Sequence, residues 1–178
     1  TITVYDCVIN RVDNHYGCFG QWTIRDCIIS NDISLGYGNA DYTIDNITFI
    51  HHEEESTAPY AIYTRADFNV NYGGVLKINN VKLKGNYTCL LKWQIGIQLE
   101  GYEAYKYLQR SIGSVCISNS DIGTNTALFN TTDVEIPLLL NNVVCRPITS
   151  ATLSPLTAYN SSLYAVYGAS EKYLNGCI

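Results

Sequence analysis

Apolar residues recur along this chain as a six-residue word, not as a uniform alternation. Val4-Tyr5-Asp6-Cys7-Val8-Ile9, Ile24-Arg25-Asp26-Cys27-Ile28-Ile29 and Ile44-Asp45-Asn46-Ile47-Thr48-Phe49 read apolar, any, Asp or Asn, small or apolar, any, apolar. The word returns as Ile78-Asn79-Asn80-Val81-Lys82-Leu83, Ile117-Ser118-Asn119-Ser120-Asp121-Ile122 and Leu140-Asn141-Asn142-Val143-Val144-Cys145. Successive words stand 20, 20, 34, 39 and 23 residues apart. Positions one and three alternate as a strand requires, but the next buried pair falls at positions four and six, so the period of two slips at the Asp or Asn. A slip of phase is a corner. Asn and Asp best tolerate the left-handed backbone among non-glycine residues, and their side chains satisfy groups that a bend frees.

If each word is one edge of a coil, neighbouring coils set these side chains over one another at about 4.8 Å, where stacked amides hydrogen-bond. The column Asp6, Asp26, Asn46, Asn80, Asn119 and Asn142 is therefore a structural ladder. Ile9, Ile29, Phe49, Leu83, Ile122 and Cys145 form an inward stripe beside it, with Cys7 beneath Cys27. The fold class expected is all-β, a right-handed parallel β-helix that buries its core only by stacking repeats. The ladder itself resembles the asparagine ladder of the pectate-lyase-like fold. Roughly seven or eight coils fit the chain, with a strand expected at Ile95-Gly96-Ile97-Gln98-Leu99 inside the longest interval. Residues 1–145 are read as coils. Beyond Cys145 the word is lost, and residues 146–178 are expected to form an irregular cap or an inter-subunit segment. A sandwich or barrel is the alternative without a fixed ladder column.

Composition supports the all-β reading: 15 of 178 residues are tyrosine, and helix-rich windows of Ala, Leu, Glu and Lys are nearly absent. The formal net charge of −5, with no basic cluster, argues against nucleic acid as a partner. No apolar run reaches the roughly 18–20 residues of a membrane span, and Thr1-Ile2-Thr3-Val4 lacks the features of a signal peptide, so a soluble chain without membrane insertion is expected. Methionine is absent even at position 1, from which we expect the chain to begin inside a longer product.

Seven cysteines, Cys7, Cys18, Cys27, Cys89, Cys116, Cys145 and Cys177, are an odd number without a CxxC pair, and read as reduced thiols packed as small hydrophobes. No metal and no cofactor is expected. Sequons stand at Asn46, Asn86, Asn130 and Asn160. Asn46 also occupies the ladder, where a buried amide would leave no room for a glycan.

Three local phrases narrow the reading. Asp13-Asn14-His15-Tyr16-Gly17 precedes Trp22-Thr23-Ile24-Arg25-Asp26-Cys27 and Leu35-Gly36-Tyr37-Gly38; Tyr63-Thr64-Arg65-Ala66-Asp67-Phe68 follows, then Gly73-Gly74-Val75-Leu76-Lys77-Ile78-Asn79-Asn80. In this order they resemble the β-helical tail appendage and tail-spike proteins of phages and prophages of Gram-positive bacteria. The resemblance covers roughly residues 1 to 85. It implies a virion tail protein, extracellular and usually a homotrimer, that joins other tail proteins and meets host cell-wall or surface polysaccharide. Tyr16, Tyr37, Arg65 and Asp67 are the carbohydrate-binding candidates. Exposed tyrosines fit sugar stacking, a trimer interface and ordinary strand packing alike.

Some relatives degrade their polymer, so carboxylates matter. Glycoside hydrolysis needs two of them, one with a raised pKa. Asp13 and His15, two residues apart, share a face of a strand and could pair as acid and base; the structural alternative is that His15 caps a turn before Gly17. Arg65 and Asp67 likewise form either an ion pair or a sugar contact, and Asp67 is the third catalytic candidate. His51-His52-Glu53-Glu54-Glu55 reads as a solvated loop. The motif phrases of polygalacturonase-like enzymes are absent, and of the pectate-lyase phrases only Arg146-Pro147 remains. The primary expectation is adhesion without catalysis. The alternatives are a polysaccharide depolymerase, hydrolase or lyase, on the same fold and a secreted pectinase-like enzyme.

Overall fold

Asp6, Asp26, Asn46, Asn80, Asn119 and Asn142 have φ between 49° and 56°, the left-handed region, and Asn160 joins them at 48°. The chain turns at each of these residues while hydrogen bonding continues on both sides. The structure is a computed structural model and describes residues 1–13, 20–35, 40–51, 60–64, 74–93, 112–123, 127–130, 137–145, 155–163 and 172–178.

Among the described residues all regular structure is β. One sheet holds β1 (Ile2–Tyr5), β2 (Val8–Ile9), β4 (Gly20–Ile29), β6 (Ala40–Ile50), β8 (Gly74–Lys84), β10 (Ile112–Asp121), β12 (Leu138–Cys145), β13 (Leu156–Tyr159), β14 (Ser162–Leu163) and β15 (Lys172–Asn175). The other holds β3 (Val12–Asp13), β5 (Ile33–Leu35), β7 (Tyr60–Thr64), β9 (Cys89–Trp93) and β11 (Ala127–Asn130). The spatial order is β1-β4-β6-β8-β10-β12-β13-β15 in the first and β3-β5-β7-β9-β11 in the second. Every pairing is parallel. From β3 to β12 the chain alternates between the sheets and returns each time beside the strand it last left. Neither sheet closes on itself.

Register holds the repeat in place across unequal intervals. Ile24 pairs with Ile44, Ile44 with Ile78, Ile78 with Ile117 and Ile117 with Leu140, so insertions between words do not shift the column. All five are at most 1% exposed. They share one hydrophobic cluster with Ile29, Phe49, Ile122 and Cys145 of the stripe and with Ile33, Ile62 and Leu91 of the second sheet. Ile9 and Leu83 pack against that cluster from the side. Both sheets thus bury residues in a common interior.

The ladder runs past Cys145, where the sequence reading ended it. β13 pairs with β12 and β15 with β13, and Ala158-Tyr159-Asn160-Ser161-Ser162-Leu163 is a seventh copy of the word, 18 residues after the sixth. Gly176 follows at φ 62°, taking the corner without a side chain. A Cβ there would meet Asn160 Oδ1 at 2.8 Å, so a larger residue would have to displace the Asn160 amide. The strand expected at residues 95–99 lies outside the described residues.

Candidate functional site

Alternation about the buried column decides what faces outward. Position two of the word stands beside each inward residue, and across eight strands these positions lie in register: Tyr5, Arg25, Asp45, Asn79, Ser118, Asn141, Tyr159 and Asn175. Two residues earlier runs a second outward column, Thr3, Thr23, Thr43, Lys77, Cys116, Leu139, Thr157 and Tyr173. At about 4.8 Å per strand this makes a face roughly 34 Å long. The ladder borders it.

Side chains on this face are tied together from strand to strand. Asn46 Nδ2 donates to Asp26 Oδ1 at 2.7 Å, Asn80 Nδ2 to Asn46 Oδ1 at 2.9 Å, and Asn142 Nδ2 to Asn119 Oδ1 at 3.0 Å. Asn119 Nδ2 instead donates at 2.8 Å to Asn79 Oδ1, which also accepts from Ser118 Oγ at 2.9 Å. Asn79 Nδ2 continues to Asp45 Oδ1 at 2.8 Å. Hydrogen bonding therefore crosses from the ladder into the outward column at the widest interval of the repeat. Arg25 donates to Asp26 at 2.8 Å and lies 5.2 Å from the centre of the Tyr5 ring. Such networks fix amide orientations and leave their remaining donors and acceptors to solvent or ligand. Asn46 is exposed, not buried as expected, because the ladder lies on the outside of the corner; its amide is nevertheless engaged at both ends.

Where the residue after a corner is Cys or Ser, it has a job that hydropathy does not reveal. Cys7 and Cys27 donate their thiols to the carbonyls of Tyr5 and Arg25, each at 3.0 Å, and Ser120 and Ser161 donate their hydroxyls to those of Ser118 and Tyr159, each at 2.8 Å. Ser120 Oγ also accepts from the Val81 amide and Ser161 Oγ from the Val143 amide, both at 3.1 Å. These groups lose their sheet partners at the left-handed residue, and small polar side chains replace them. The recurrence of Cys or Ser at position four was the available signal. The six described cysteines are free. Burial raises the Cys27 thiol and pushes Cys145 up to about 12, which disfavours the thiolate at both.

Asp13 lies elsewhere, in a square at the start of the second sheet. β3 pairs with β5 so that Asp13 faces Ser34. Arg11 Nε reaches Asp32 at 2.7 Å, and Arg11 Nη2 lies 3.7 Å from Asp13. Ser34 is fully buried, and among the described residues its Oγ has no hydrogen-bond partner. Burial raises the Asp32 carboxyl above the ordinary value; the Arg11 charge opposes this, and the Asp13 charge adds to it. His15, Tyr16, Tyr37, Arg65 and Asp67 lie outside the described residues, as does the Glu53 to Glu55 segment. Among the described residues no group of three His, Cys, Asp or Glu side chains is placed to hold a metal ion.

The sign of the Asp32 shift gives a test. A carboxyl raised on folding favours the folded state below its unfolded pKa of about 3.9 and loses that contribution as pH rises through the folded value. Wild type should therefore lose stability relative to Asp32→Asn as pH is raised above about 4. Urea midpoints for both proteins at intervals from pH 4 to 7 would measure it. A constant difference across that range would mean that Arg11 cancels the cost of burial.

No family model, no curated protein and no solved structure matches this chain, so what it does has to be argued from the two outward columns and the Arg11 square.

Proposed function

We propose that this chain is a right-handed parallel β-helix from a phage tail appendage, and that it holds the virion to a host surface polysaccharide without cleaving it. The carrying observation is the pair of outward columns, mostly polar, in register along eight strands. An extended polymer laid along them meets amides and hydroxyls at a regular interval. Unidirectional alternation between two parallel sheets supports the solenoid, and the strong preference of parallel crossovers for one hand supports its right-handedness. The tail assignment and the homotrimer rest on the resemblance of the first 85 or so residues to tail-spike proteins. They carry with them the partners of this reading, other tail proteins and cell-wall polymer, and its place on the virion outside the cell.

One observation favours a second reading. Asp13 and Asp32 lie close enough to influence each other and occupy unequal surroundings, as the two carboxyls of a glycosidase do. Incubating the protein with purified Gram-positive wall polymer, and following co-sedimentation and polymer length together, separates the two. Retention at unchanged length is expected. Shortening would replace adhesion with depolymerisation, and a result with neither retention nor shortening would overturn both.

A further inference from the structure

Near its C-terminal end the outward face of the first sheet changes character. Leu139, Thr157 and Tyr173 adjoin in one column and Asn141, Tyr159 and Asn175 in the other, an uncharged block three strands wide. The opposite end of the same face carries Arg25, Asp26 and Asp45. Tyr159 and Tyr173 are 37% and 55% exposed, and their rings meet edge to face, with centroids 5.8 Å apart and planes at 60°. Lys172, the neighbouring charge on β15, is exposed and stands in register with Leu156, one position off the two columns.

This is an unusual use of surface area. Two large rings held against each other have little rotamer freedom left to lose, so a ligand placed on them incurs a small entropic cost. Aromatic rings offer a negative face to polarised C–H groups, and Asn141 and Asn175 supply both donors and acceptors at the rim. A pyranose ring combines these two needs, an apolar C–H face and an equatorial belt of hydroxyls. Among the described residues that make this block, a polyanion would find no cation to offset the loss of its own hydration.

We infer that Tyr159 and Tyr173, flanked by Asn141 and Asn175, form a subsite for a neutral sugar ring, so that the polymer recognised is a neutral glycan and not a phosphate-bearing one. The inference deepens the adhesive reading and rests on it. The subsite would anchor one end of a chain that continues along the column toward Asn79.

Affinity electrophoresis through gels containing either teichoic-acid-free wall polysaccharide or purified wall teichoic acid tests it. Wild type should be retarded by the neutral polymer alone. Tyr173→Ala and Tyr159→Ala should each weaken that retardation by roughly fivefold or more, the size of effect that loss of an aromatic anchor usually has. Tyr173→Phe should behave as wild type, and Lys82→Ala, exposed on β8 but outside both columns, should too. Circular dichroism and urea midpoints identify any variant that fails to fold, in which case Asn175→Ala and Asn141→Ala carry the test. Wild-type retardation that survives both tyrosine substitutions overturns the subsite and leaves adhesion standing. Retardation by teichoic acid alone overturns the neutral-glycan assignment, and none by either polymer overturns the adhesive reading beneath it.

Discussion

Phe49→Ala is expected to lower the unfolding free energy by about 3–5 kcal/mol, the range for removing a large aromatic side chain from a packed interior. Phe49 is completely buried and ends the inward stripe of β6, where its ring meets Tyr87 edge to face with centroids 6.3 Å apart. Tyr87 in turn lies 5.6 Å from the His51 ring and donates at 3.4 Å to the Asn31 carbonyl, so the cavity would open beneath a contact that spans three successive repeats. Phe49→Leu keeps most of the volume and should cost much less. Urea unfolding followed by tyrosine fluorescence and by circular dichroism would measure both. A loss below about 1 kcal/mol for Phe49→Ala would mean that the neighbouring repeats close over the gap, contrary to the stiffness of native packing.

Much of the backbone plan was legible because the six-residue word encodes a conformation, not merely a hydropathy. The Asp or Asn at position three marks a residue that must turn left-handed, and a slip in alternation at the same place marks where the side chains change face. Two independent signals on one residue survive loops of any length, which is why Asn80 and Asn119 could be aligned across intervals of 34 and 39 residues. The final repeats escaped notice for a related reason. Asn160 sits in a sequon, which offered another explanation of it, and Gly176 fills the corner with the residue that carries no ladder amide at all.

The candidate site was far less legible. Position two of the word is one of the two that the repeat leaves free, so no pattern singles out Asn79, Asn141 or Tyr159 in the sequence; only register makes them a column. Local phrases pointed instead to Asp13-Asn14-His15, and the partners that Asp13 meets come from elsewhere in the coil. Arg11 is two residues before it, whereas Ser34 stands beside it on the next strand of the second sheet and Asp32, just ahead of that strand, shares Arg11 with it. Proximity in sequence finds pairs on one strand, but a parallel stack makes its neighbours from residues roughly one repeat apart.

The ladder supplies the sharpest test of how the repeat holds together. Asn46 stands at φ 53°, donates to Asp26 and accepts from Asn80. Asn46→Ala should lose about 2–4 kcal/mol, combining the cost of a left-handed residue that has a Cβ with the loss of two hydrogen bonds. Asn46→Gly removes the same bonds but adopts the conformation freely, so it should recover roughly 1–2 kcal/mol of that loss. The difference between the two variants isolates backbone strain, and what glycine fails to recover is due to the amide. Asn46→Asp keeps the acceptor for Asn80 but sets a carboxylate against that of Asp26, so its deficit should shrink as pH falls and the pair can share a proton. Urea midpoints for the three variants at pH 7, with Asn46→Asp repeated at pH 4, measure these terms. Equal losses for alanine and glycine would show that the corner is held by its hydrogen bonds alone; a glycine variant as stable as wild type would show that the column of amides is ornament to a backbone that already turns.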